Sequence, residues 1–259
     1  MNRNLKFAIA AAIASLGVTS QAHALTASTS TASGSLFLYA FDDRTIIGNS
    51  TATNSAIFDL GLASAFDATK NQTFDFSTNS AWTSYISTIA NPANVKWGVY
   101  GVTKGTGAAT GSSLITTLSV VPASIGGFAF GSSIVNYNTE ISVYGPTASS
   151  GSSGFNAVTT NDLATGTWAN NAGIIPGTLT AGLGGSMDFF KYTSTGSKAT
   201  SLATKTAYAT GGDADYFTLS NTGVLTYTAV ASVPEADSYA MMLAGLGLVG
   251  YMVRRRKAA

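Results

Sequence analysis

Apolar and polar residues alternate along much of this chain, and the alternation has a period of two. In Val95 to Val102, Val95, Trp97 and Val99 fall on one face and Lys96, Gly98, Tyr100 and Val102 on the other, which predicts a strand. Phe74 and Phe76 flank Asp75 in the same way, and Phe128 and Phe130 flank Ala129. Leu36 to Phe41 (LFLYAF) is apolar on both faces and predicts a central strand. Tyr216 to Ser220 and Val224 to Val230 are separated by Asn221-Thr222-Gly223, a loop closing on glycine that predicts a hairpin. Phe217 and Leu219 then share a face with Leu225 and Tyr227. One segment departs from this period. Trp82, Tyr85, Ile86 and Ile89 follow helical spacing, so a short amphipathic helix is predicted over 81–90, capped by Ser80 and limited by Pro92. Asn161 to Trp168 is a weaker second helix, interrupted by Gly166. Many short strands, frequent turn signals and few helices predict an all-β domain, an antiparallel β-sandwich with one or two short helices. Ala148 to Gly154 (ASSGSSG) is short enough to read as a loop within one domain rather than a linker.

Longer apolar runs stand at the two ends. Arg3 and Lys6 precede Phe7 to Val18 (FAIAAAIASLGV), and Ala22-His23-Ala24 places small residues where a signal peptidase reads them. Residues 1–24 are therefore expected to be a signal peptide, cleaved before Leu25. The run is too short for an anchor across a hydrocarbon core of roughly 30 Å. At the other end Tyr239 to Val253 (YAMMLAGLGLVGYMV) carries no charge and would be about 22 Å long as a helix at ~1.5 Å per residue. Arg254, Arg255, Arg256 and Lys257 follow at once and anchor that end on the cytoplasmic side. A single C-terminal transmembrane helix is expected, with the domain outside and a small basic tail inside. Gly245 to Gly250 matches G-x-G-x-x-G, but no strand or βαβ unit surrounds it, so it is no nucleotide site.

Val233-Pro234-Glu235, then a short Gly- and Leu-rich apolar helix, then an arginine cluster is an arrangement that closely resembles the PEP-CTERM sorting signal of Gram-negative bacteria. The resemblance covers residues 233–259. The departure is Ala236, where the family's name-giving motif has a second proline. The resemblance implies an exosortase-type membrane protease as partner. It also implies a transient inner-membrane intermediate, then delivery to the cell surface or matrix, usually alongside exopolysaccharide and biofilm. It says nothing about the fold of residues 25–232, because such tails are attached to unrelated domains.

Composition narrows the chemistry of that central domain. The chain has 259 residues, no cysteine and one histidine, His23, which leaves with the signal peptide. Disulfides, cysteine nucleophiles, Ser–His triads and His/Cys zinc sites are thereby ruled out for the mature domain. Charged residues are 10% of the chain, against roughly 25% in an ordinary domain. Seven basic and ten acidic residues lie within 25–232, so no basic field attracts nucleic acid. No S-x-x-K or G-x-S-x-G motif is present in the domain. A glycoside hydrolase needs two carboxylates across a cleft, and the spacing of Asp42, Asp43, Glu140, Asp188, Asp213 and Asp215 selects no pair. The expected role is non-enzymatic and without a cofactor. Asp213 and Asp215, in Gly211-Gly212-Asp213-Ala214-Asp215, form a weak calcium pair that lacks the further ligands calcium takes. A polar turn is the stronger reading. Asp42-Asp43 should end the central strand in solvent. Trp82 and Trp97 follow the core periodicity. Trp168 does not, and it is the aromatic through which a secreted carbohydrate-binding module, the alternative role, would touch a sugar.

Overall fold

The LFLYAF run lies at the centre of a single antiparallel sheet in the computed structural model, which describes residues 25–42, 55–107, 109–118, 123–144, 149–150, 156–160, 181–196, 201–207, 215–230 and 241–246. Thirteen strands are present among these residues: β1 (Ser35–Asp42), β2 (Ser55–Leu62), β3 (Gln72–Asp75), β4 (Val95–Lys104), β5 (Ser113–Leu118), β6 (Ser124–Ile125), β7 (Ser149–Ser150), β8 (Asn156–Thr160), β9 (Ala181–Gly182), β10 (Ser186–Ser194), β11 (Ala203–Ala207), β12 (Tyr216–Leu219) and β13 (Val224–Thr228). Their order is β3-β13-β12-β10-β5-β4-β1-β2-β8-β7, with β11 and β6 continuing beside β10, and β9 beside β4. The α-helices α1 (Ser80–Ser87) and α2 (Gly127–Tyr144) pack on this sheet.

The antiparallel all-β expectation holds, but the two face-packed layers of a sandwich are replaced by one curled sheet. Strands that would belong to opposite layers are joined edge to edge through β10, β5 and β4. The two ends of the path then approach each other across the interior. Phe58 on β2 lies 4.6 Å, ring to ring, from Phe76, which follows β3 at the far end. Large aromatics fill the enclosed space: Trp97, Phe58, Phe76, Phe189, Phe217 and Tyr227 are all buried there with Leu36, Leu38 and Ala40 of β1. Strand twist accumulates in one direction, so a long antiparallel sheet with bulky inward residues coils toward a barrel.

The predicted hairpin is present. Phe217 pairs with Tyr227 and Leu219 with Leu225, and Gly223 takes φ +87° in the connecting turn. The indole of Trp82 lies where a Cβ at Gly223 would stand. Trp82 reaches it from α1, with Tyr85 buried beside it. This helix starts one residue earlier than predicted. Asn79, not Ser80, is the cap, its side chain accepting from the Ala81 N–H at 2.8 Å. The helix ends at Ser87, with Thr88 as C-cap, short of the predicted 90.

The outer face of β1 carries a second core. Phe37, Tyr39 and Phe41 pack there with Tyr100, Leu114 and Tyr192, and α2 covers them with Phe130, Ile134, Tyr137 and Ile141. The Phe128–Phe130 alternation, expected to be a strand, thus belongs to a helix. Three residues cannot distinguish the two periods, and the deciding spacing runs on from Phe130 to Ile141. Asp42 also departs from expectation. It is 1% exposed, because β1 continues its pairing with Val95 there instead of running into solvent. The predicted helix at 161–168, Asp43 and most of the 148–154 loop lie outside the described residues; Ser149 and Ser150 pair with β8.

Three phenols are sealed in the outer core. Burial holds Tyr39, Tyr100 and Tyr137 well above the ordinary tyrosine range, with the neighbouring phenol of Tyr100 adding to it at Tyr39 and the Asp59 carboxylate at Tyr137. The acidic proton is therefore held more tightly in the folded state. That contribution to stability is complete below the unfolded tyrosine pKa of about 10 and is lost as pH rises above it. Alkaline titration should show stability level up to about pH 9, then a fall in which tyrosinate absorbance and loss of β-signal rise together. Tyrosinate forming fully while the fold persists would contradict it.

Candidate functional site

The fold is drawn tight at both ends, beside the two segments that the sequence marks for processing. At the first end Leu25 is 6% exposed and packs in the outer core. The next residues form a strap over β1. The Thr26 N–H donates to Ser35 Oγ at 3.0 Å, and the Thr26 carbonyl accepts from the Ser35 N–H at 2.8 Å. The Tyr137 hydroxyl lies 2.6 Å from the Ser35 carbonyl and 3.1 Å from that of Thr26, and serves both as donor. Asn138 accepts from the Ser28 N–H at 2.9 Å, and the Ser28 hydroxyl donates to the Gly105 carbonyl. Gly34 has no room for a Cβ, which would strike the Tyr137 hydroxyl and the Thr26 carbonyl. The helix that the sequence did not reveal is thus the element that fastens the start of the domain.

The other end is fastened by a loop and a buried carboxylate. Tyr227 of β13 donates its hydroxyl to the Ala68 carbonyl at 3.0 Å, and Phe66 packs edge-on against its ring, centroids 4.9 Å apart. Asn71 Oδ1 accepts from the Ala229 N–H at 2.9 Å. Within the same loop Lys70 Nζ meets Asp67 Oδ2 at 2.7 Å. The hydrogen bond from Lys70, then those from Thr69, lower the Asp67 carboxyl to about 2. One step further on, Asp215 Oδ1 accepts from the Val230 N–H at 2.8 Å, and the Asp215 carbonyl accepts from the Phe189 N–H at 2.7 Å. Asp215 is 1% exposed. The Asp215 carboxylate thus brackets the strand exit. Among the described residues no group of three or more His, Cys, Asp or Glu could hold a metal ion.

Beyond Val230 the next described residues are 241–246. They are helical, and Met241, Met242, Leu243 and Leu246 are exposed rather than packed on the domain. Among the described residues no helix is long and apolar enough to cross a membrane. Ala22, Ala24, Trp168, Asp213, Val233, Pro234, Glu235, Arg254, Arg255, Arg256 and Lys257 lie outside the described residues. Trp82 and Trp97 are buried as expected, and Trp97 Nε1 donates to the Gly182 carbonyl at 2.8 Å.

Val230, held by Asp215, thus lies two residues before a recognisable signal begins. A family model described as the PEP-CTERM protein-sorting motif matches residues 232–257. No curated protein and no solved structure matches the chain. The chain carries a PEP-CTERM sorting motif. Such a motif makes it an exported protein, directed through the membrane to the cell surface and processed by an exosortase-type membrane protease.

The strap at the first end gives a direct test. Tyr137→Phe keeps the ring in the outer core but removes the hydroxyl donor to the Ser35 carbonyl and the second donor to the Thr26 carbonyl. It should lower unfolding free energy by about 1–3 kcal/mol, read as a lower urea midpoint at unchanged slope. A midpoint equal to the parent's would show that the hydroxyl does not hold the strap.

Proposed function

We propose that this chain is a non-enzymatic surface or matrix component of a Gram-negative bacterium, held in the inner membrane by a transmembrane helix from Tyr239 to Val253 until an exosortase-type protease cuts near Pro234-Glu235. The observation that carries this reading is the position of the motif, which starts at residue 232, two residues past Val230, itself bracketed into the fold. At ~3.3 Å per residue, Pro234 stands at most about 13 Å from Val230. The protease then works against the wall of a folded domain, and the domain is delivered whole. Arg254, Arg255, Arg256 and Lys257 hold the tail's end in the cytoplasm during that step. Exposed Met241, Met242, Leu243 and Leu246 support lipid as the surroundings of this segment.

The same logic orders the first cleavage. A signal peptidase needs extended chain on both sides of the bond it cuts. Leu25 is enclosed by the outer core, so cleavage between Ala24 and Leu25 precedes docking of the strap. A nearly uncharged surface of Ser, Thr, Asn and Gly suits a hydrated exopolysaccharide or biofilm matrix, and its hydroxyls offer points for glycosylation.

Intact mass of the protein recovered from the surface or medium tests this reading. Expected is a chain starting at Leu25 and ending near residue 234, with Pro234→Ala/Glu235→Ala leaving it full length in the membrane. Recovered material that still ends in Ala259 would overturn it. A correctly processed chain that is retained on polysaccharide only while Trp168 is present would place it instead among carbohydrate-binding modules.

A further inference from the structure

The solvent side of α2 does not look like the solvent side of an ordinary surface helix. Its inward face, Phe130, Ile134, Tyr137 and Ile141, is fully used by the outer core. The opposite face carries Phe128 at 82% exposure and Val135 at 50%. Between Gly127 and Thr139 the helix has no charged residue at all. Beside it lies an open groove of about 330 Å³ between α2 and the turn at Gly107, lined by Gly127, Phe128, Gly131, Ser132, Val135 and Asn136. A surface helix is normally charged on its outer face. This one presents a protruding ring and a hollow side by side.

The four positions that form this face share a symmetry. Phe128, Gly131, Ser132 and Val135 follow i, i+3, i+4, i+7 spacing and so lie along one stripe. Gly131 and Ser132 occupy its middle, and Phe128 and Val135 stand three residues out on either side. Turned about a two-fold axis through the Gly131–Ser132 bond, the stripe superimposes large on large and small on small. A two-fold contact requires one patch to fit its own copy. Only the residues on the axis, Gly131 and Ser132, then meet near their own counterparts, and neither carries a charge.

We propose that the outer face of α2 is where two copies of this chain pair, with the helices antiparallel and crossing at Gly131 and Ser132. Phe128 of each copy enters the groove of the other and packs against the second copy's Val135. The small residues let the backbones approach, so that helix axes about 8–10 Å apart bring the facing Ser132 positions within disulfide reach. The pairing is independent of how the tail is processed.

The chain has no cysteine, so single substitutions give a clean readout. Full-length protein in detergent, carrying Ser132→Cys, is oxidised alongside protein carrying Ser84→Cys on the exposed side of α1. Expected is disulfide dimer from Ser132→Cys at least tenfold faster than from Ser84→Cys, falling to the Ser84→Cys rate when Phe128→Glu is added. Phe128 points to solvent, so Phe128→Glu should leave the urea midpoint unchanged. Association through the tail would cross-link both variants equally and would overturn the proposal. Slow cross-linking at Ser132→Cys, or a rate indifferent to Phe128→Glu, would overturn it too. Retention of the monomer on a neutral polysaccharide, lost with Phe128→Glu, would do the same and assign the groove to a sugar.

Discussion

Everything in this domain leans on β1, a strand of eight residues that is buried along its full length. Its alternate side chains feed two cores, to which β2, β4, β5 and β10 also contribute from opposite faces. Leu36, Leu38 and Ala40 point into the curled sheet, while Phe37, Tyr39 and Phe41 point out beneath α2. Each fully buried large side chain contributes about 1.5–3 kcal/mol, so this one strand carries a large part of the hydrophobic stabilisation on both sides. A slip of one residue in its register would exchange the two faces and ruin both cores at once. Pairing with β2 on one edge and β4 on the other fixes that register.

The same strand receives the strap at Leu25. The strap from Leu25 turns back on the first residue of β1 through the paired bonds of Thr26 and Ser35, and α2 locks the turn from above. At the far end β13 is held by the loop around Ala68 and Asn71 and by Asp215. Fastened in this way, neither end of the described fold leaves a strand open to unravelling. The folded unit and the segments that address it stand as neighbours with only a few residues between them.

How much of this could be read from the residues depended on the range of the interaction. β1, β4, the β12–β13 hairpin and α1 declare themselves through local period, and so does the sorting motif, whose parts are contiguous. The single curled sheet does not, since β3 finds β13 and β5 finds β10 from far along the chain. Nor does α2. Its sequence is rich in Gly, Ser, Thr and Asn, weak helix formers, and the helix is held by packing of Phe130, Ile134, Tyr137 and Ile141. The strap was invisible for the same reason, because Tyr137 reaches Thr26 across 111 positions. Asp215 could be seen as a polar turn residue, but its partner, the amide of Val230, could not be known before the strand exit was traced.

Amide hydrogen exchange on the intact chain measures the closure at both ends residue by residue. The amides of Thr26, Ser28, Ala229 and Val230 should exchange as slowly as those inside β12 and β13, since each has a defined acceptor. Exchange at these four positions as fast as in a free peptide, while the hairpin stays protected, would contradict it.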